Sequence, residues 1–107
     1  MIYFDIIICH NVVQHIPTDL LILEFTHLLR TLKTDGVFAL EFVSSGSKDD
    51  GGLNVNYSGQ DTGRYCRTPE YLENLINNVG GKCEMVVNYE IHNSEITGCH
   101  VFHVRKN

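Results

Sequence analysis

The chain has 107 residues, 43% of them hydrophobic and 20% charged, with only two prolines, which fits one ordinary folded domain and excludes disordered and collagen-like classes. Thirteen acidic against eight basic residues give a formal charge of −5, and the basic residues are scattered, so the basic footprint of a nucleic-acid binder is missing. The apolar stretches break within about ten residues, against the roughly 20 needed to span a bilayer, and no basic segment leads into a cleavable apolar core; the sequence reads as cytoplasmic, without a membrane partner.

The chain opens on Tyr3-Phe4-Asp5 followed by the unbroken apolar run Ile6-Ile7-Ile8-Cys9. A run without alternation predicts a strand covered on both faces, as in the middle of a parallel sheet. After His15-Ile16-Pro17, Thr18 is placed to cap a helix with Asp19 in its first turn. Leu21, Phe25, Leu28, Leu29 and Leu32 fall on one face of that helix. Lys33-Thr34-Asp35-Gly36 is expected to close it, with Gly36 free to take positive φ, before a second apolar strand over 37–43. Strand, helix and strand in this order form a parallel βαβ unit.

From Ser44 to Arg67 the chain is polar and glycine-rich, which predicts a long binding or lid loop. Thr68-Pro69-Glu70 is a strong helix start, combining a cap, a proline whose missing N–H costs nothing and an acid in the first turn. Leu72, Leu75, Ile76 and Val79 supply that helix's buried stripe, and Gly80-Gly81 stops it. Two β-rich segments, 83–91 and 97–104, joined through His92-Asn93-Ser94-Glu95, then predict an antiparallel hairpin.

Cys9, Cys66, Cys83 and Cys99 lack the spacing of a metal knuckle and read as free thiols, mostly buried. Cys99-His100 with His103 is the most metal-like group, but on a strand Cys99 and His103 face one way and His100 the other, so three ligands cannot converge. His27, His92, His100 and His103 are assigned no role.

Tyr3 to Ile16, an aromatic-aspartate pair leading an apolar run into Cys9-His10-Asn11 and then His15, resembles the fourth strand and following turn of the class I S-adenosylmethionine-dependent methyltransferases. Leu28 to Phe38 is similar to that family's helix end and fifth strand, with Thr34 and Asp35 where a proline and a glycine are usual. With the closing hairpin, the resemblance covers the whole chain. It implies an α/β fold class, a partial Rossmann-like methyltransferase fold in which a parallel βαβ unit is followed by a helix and an antiparallel β-hairpin. Residues 1–107 would then be a single unit, the C-terminal half of a methyltransferase-like domain. The glycine-rich cofactor turn and the ribose-binding acid of the family have no counterpart, and neither Gly51-Gly52 nor Gly80-Gly81 sits in the strand-turn-helix setting that such a cradle needs.

The resemblance implies S-adenosylmethionine as cofactor, with Cys9, His10 and Asn11 beside its methionine part, partly through backbone groups. Those three residues could equally do no more than turn the chain. Ligands of open α/β sheets bind beyond the carboxyl ends of the strands, here His10-Asn11 and Ser44-Ser45. His15 is the candidate catalytic residue, as a base or to orient an acceptor, although a histidine before Ile-Pro can also simply pack. Tyr57, Arg64 and Tyr65 are the candidate substrate-binding residues on the long loop, unless Arg64 or Arg67 pairs with an acid of the next helix. The acidic balance favours a small-molecule acceptor. The alternative function is a non-catalytic α/β module for oligomerisation or partner binding. Because strand 2–9 would lack the neighbour it has in the whole fold, a homodimer through that strand is expected.

Overall fold

A computed structural model describes residues 3–45, 53–55, 61–65, 67–91 and 96–107. Strand β1 (Phe4–His10) leads through a 3-10 turn (Val13–His15) into helix α1 (Thr18–Thr31), and strand β2 (Leu32–Ser45) follows without a gap. Strands β3 (Leu53–Val55) and β4 (Asp61–Tyr65) precede helix α2 (Pro69–Asn78), and strands β5 (Gly81–Glu90) and β6 (Ile96–Lys106) close the chain.

The main sheet has the order β1-β2-β6-β5. β1 runs parallel to β2, and β6 is antiparallel to both β2 and β5, so β1, β2 and β5 share one direction and β6 alone opposes it. The expected hairpin therefore forms, but its second strand is inserted between β2 and β5. Tyr57 and 92–95 lie outside the described residues.

Strand alternation decides where the core sits. Phe38, Leu40 and Phe42 of β2 and Phe102 and Val104 of β6 point to one face and are buried there against Leu21, Phe25 and Leu29 of α1 and Leu72 and Ile76 of α2. Phe25 meets Phe38 edge-on, with ring centroids 6.2 Å apart. Both helices thus cover the same face. On the opposite face Ile6 and Ile8 of β1 are 60% and 75% exposed, with Val87 and Tyr89 of β5 exposed as well. The expectation of a strand covered on both faces fails for that reason: Ile7 and Cys9 pack on the core, but no described element lies over Ile6 and Ile8.

Four local expectations are corrected by geometry. Thr18 is the first helical residue and Pro17 the N-cap, without a side-chain cap; the Thr18 hydroxyl is used elsewhere. Helix α1 ends at Thr31, so Lys33 to Gly36 belong to β2. Gly36 is not at positive φ; a Cβ there would come within 2.8 Å of the Asp5 carbonyl oxygen and of Leu32 Cδ1, so glycine is required by the close approach of β1. The long polar stretch is also not all loop, since β3 and β4 pair antiparallel as a second small sheet.

The second helix follows its sequence signature. Thr68 Oγ1 accepts from the Tyr71 N–H at 3.2 Å, Pro69 opens the helix, and Gly80 at φ 98° turns the chain into β5.

Candidate functional site

Two neighbourhoods form at the carboxyl end of the parallel strands. The first begins where β1 ends. Asn11 takes a left-handed conformation, φ 54°, which asparagine tolerates better than most residues, and its N–H donates to the Glu41 carbonyl at 3.0 Å. The chain is thereby turned sharply away from the sheet. Gln14 Nε2 donates to Asn11 Oδ1 at 3.3 Å, and Gln14 Oε1 is buried with no partner among the described residues.

Arg67 fixes this turn from the far side of the fold. Its guanidinium is buried and donates to the carbonyls of Val13 and Ile16 at 2.9 and 2.6 Å and to Thr18 Oγ1 at 3.0 Å, while Thr18 also bonds the Tyr71 hydroxyl. The Tyr65 ring lies 4.9 Å from the guanidinium carbon, in cation–π range. Burial pushes the Arg67 pKa down, with Tyr71 and Tyr65 opposing. Among the described residues, Arg67 is held by carbonyls of the turn and by Thr18, so the alternative in which it pairs with an acid of the next helix does not form. β4 packs against the 3-10 turn, which brings Arg64 and Tyr65 to the same end of the sheet as Asn11 and His15.

The residues named from the sequence divide as follows. Cys9 points to the core face and packs there, and burial, with Glu24 second, raises its thiol pKa; it can serve a ligand only through its backbone. His10 faces the other way, and its Nδ1–H donates to Glu41 Oε1 at 2.9 Å on the exposed side. Asn11 and His15 are exposed, and Arg64 and Tyr65 half-buried.

The second neighbourhood was not legible as a site. A cavity of about 450 Å³ is lined by Ser44 of β2, Thr68, Pro69 and Glu70 at the start of α2, Asn88 and Glu90 of β5, and Thr97 and His100 of β6, with Ile91 beside them. Among these, Ser44 alone is marked for ligand contact by its sequence position, at the end of the second strand. Neither Asn11 nor His15 lines this cavity.

Inside it runs a directed hydrogen-bond chain. Asn88 Oδ1 can only accept, so His100 Nδ1, 2.8 Å away, carries the proton; Nε2 of the neutral ring then accepts from Ser44 Oγ at 2.8 Å, and Thr97 donates to Ser44 Oγ at 2.9 Å. Desolvation lowers the His100 pKa, against the opposing pull of Glu70 and Glu90. Gly98 makes room for the ring, since a Cβ there would sit 2.8 Å from His100 Cε1 and Nε2. Strand alternation offered a signal, because His100 shares a face with the buried Phe102 and Val104, and a polar side chain on an apolar face needs partners.

The sheet order defines the class: an open α/β sheet whose single antiparallel strand is inserted beside its last parallel one. Comparison with solved structures makes that class specific. The Mitomycin 7-O-methyltransferase MmcR superposes with a TM-score of 0.68 at 10% identity over 100% of this chain and 31% of its own. DhpI in complex with SAH gives 0.66 at 15% identity, over 98% and 48%. An S-adenosylmethionine-dependent methyltransferase from Clostridium acetobutylicum ATCC 824 gives 0.66 at 16%, over 99% and 59%. The chain therefore has part of the class I methyltransferase fold, and it spans 31%, 48% and 59% of the lengths of these three proteins. No family model matches the sequence, and no curated protein matches it significantly.

No described helix is long and apolar enough to cross a membrane.

Proposed function

We propose that the chain is the carboxyl-terminal half of a domain that transfers a methyl group from S-adenosylmethionine to a small molecule. The observation that carries this is the sheet order β1-β2-β6-β5 with the Asn11 turn at the end of β1, the place where open α/β sheets receive ligands. The residues present fit one edge of the cofactor. Asn11 and the backbone of Cys9 and His10 would border its methionine part, and the orphaned Gln14 Oε1 beside Asn11 is an acceptor awaiting a donor.

The cofactor supplies an electrophilic methyl group, so this chain is needed mainly to position the acceptor. Arg67 holds the 13–16 turn in place from beneath. His15, Arg64 and Tyr65 stand around that turn and would contact the acceptor, with Tyr57 assigned by sequence alone. The acidic net charge favours a small molecule over nucleic acid.

One observation favours the second reading, a partner-binding module. The sheet face carrying Ile6, Ile8, Val87 and Tyr89 is apolar and exposed, as in surfaces that pair. The parent transcript separates the two readings. An in-frame glycine-rich strand-turn-helix encoded ahead of Met1 supports the methyltransferase; an in-frame stop codon directly upstream favours the module.

A further inference from the structure

We propose that the cavity at the carboxyl end of β2 binds a neutral, hydroxyl-bearing small molecule and that Ser44 and His100 together take up its proton. The inference goes beyond the methyl-transfer reading, because the cavity is lined by neither Asn11 nor His15 and stands as a site of its own.

The chain of hydrogen bonds has a direction. Thr97, Ser44 and His100 each donate forward, in that order, ending on Asn88 Oδ1. Ser44 Oγ thus has one lone pair engaged by Thr97 and one left for a donor entering the cavity. A ligand hydroxyl meets that requirement. When it gives its proton to Ser44 Oγ, the Ser44 proton passes along the existing 2.8 Å bond to His100 Nε2. The ligand keeps the O–H electron pair as an oxyanion, Ser44 ends unchanged, and His100 ends as imidazolium.

The surroundings suit both sides of that transfer. Before it, Ser44 and His100 are each 4% exposed, and Phe42 lies against the imidazole with centroids 5.1 Å apart, which favours the neutral ring. After it, the charge is met by Asn88 Oδ1 accepting from Nδ1–H and by the carboxylates of Glu70 on α2 and Glu90 on β5. The arrangement has the logic of a nucleophile–base–orienter set, with the orienter fixing the tautomer. The same cavity has Pro69 and Ile91 as apolar wall, suited to an aromatic or short aliphatic body.

The probe is 4-nitrophenol, whose absorbance reports its own ionisation, titrated against the 107-residue chain while amide shifts report where it binds. The expected result is shifts at Ser44, Asn88 and His100 and a fall of about one unit in the probe's apparent pKa, roughly tenfold in its ionisation constant. Ser44→Ala should bind the probe without the fall. Asn88→Asp, an exposed position that leaves the fold intact, should deepen it by making the imidazole more basic. Absence of binding at millimolar probe, binding with an unshifted ionisation curve, or an equal fall in Ser44→Ala would each overturn the proposal. None of these readouts involves S-adenosylmethionine, so failure of cofactor binding and failure of the proton relay are told apart.

Discussion

The guanidinium of Arg67 donates to the carbonyl oxygen of Val13 at 2.9 Å across 54 positions of sequence, and the same group reaches Ile16 and Thr18. One buried cation thus ties the start of α2 to the turn that follows β1. Arg67→Ala removes the side-chain donor from two carbonyls and a hydroxyl, leaving the Val13 carbonyl with the Ile16 N–H alone, at a cost of about 2–4 kcal/mol. Arg67→Lys should recover less than half, because an ammonium cannot serve diverging acceptors in one plane. Urea unfolding midpoints of the three proteins measure this.

Gly36→Ala should destabilise by about 1–3 kcal/mol, as overpacking does, because the obstacle is the Asp5 backbone carbonyl and cannot rotate away. Gly98→Ala should destabilise by a similar amount, since a Cβ there would sit 2.8 Å from the Tyr89 backbone carbonyl oxygen, and should also displace the His100 ring from Ser44. The unfolding midpoint reads the destabilisation, and the loss of the Ser44–His100 shift pattern in the imidazole ¹⁵N spectrum reads the displacement.

Stability should fall at both ends of the pH range, for different groups. The pKa of His100 lies below its ordinary 6.5 in the folded protein, so the unfolded chain binds the proton more tightly. Its contribution is complete above pH 6.5 and is lost as pH falls through the folded value. Cys83 is pushed up to about 12 by burial, with Glu73 second, and Cys9 is raised as well. Those thiols hold their protons more tightly when folded, so their contribution is complete below pH 9.0 and is lost as pH rises toward about 12. Denaturant midpoints between pH 4 and pH 10 should trace a plateau between two declines, and Cys83→Ser should flatten the alkaline one.

Through β1 the protein should form a homodimer, since among the described residues that strand pairs on one side only and carries Ile6 and Ile8 exposed on the uncovered face. Antiparallel joining of two β1 edges about a twofold axis would extend the sheet and close the assembly. Light scattering should report a dimer at high micromolar concentration, shifted toward monomer in Ile8→Lys. A stable monomer at that concentration excludes the pairing.

What could be read in the sequence was whatever depends on neighbours along the chain. The α2 start at Thr68-Pro69-Glu70, most of the buried stripes of the two helices and the presence of the apolar strands are set by short-range capping and periodicity and form as expected, whereas Leu32 lies in β2 and Ile6 and Ile8 are left uncovered. Contacts across the fold were not legible. The role of Gly36 depends on Asp5, thirty-one positions earlier, and that of Arg67 on carbonyls that any residues could present. The Ser44–His100–Asn88 chain joins three strands whose order and register no local pattern specifies; His100 therefore read as an ordinary strand histidine.

Titration of the ¹⁵N-labelled chain with S-adenosylmethionine, with calorimetry alongside, tests the central claim most directly, because one edge of a cofactor site should be recognised feebly and in one place. The account predicts binding that remains unsaturated in the millimolar range, with amide shifts confined to Cys9, His10, Asn11 and the adjoining 3-10 turn. A micromolar or tighter dissociation constant, or shifts centred away from that turn, would contradict it.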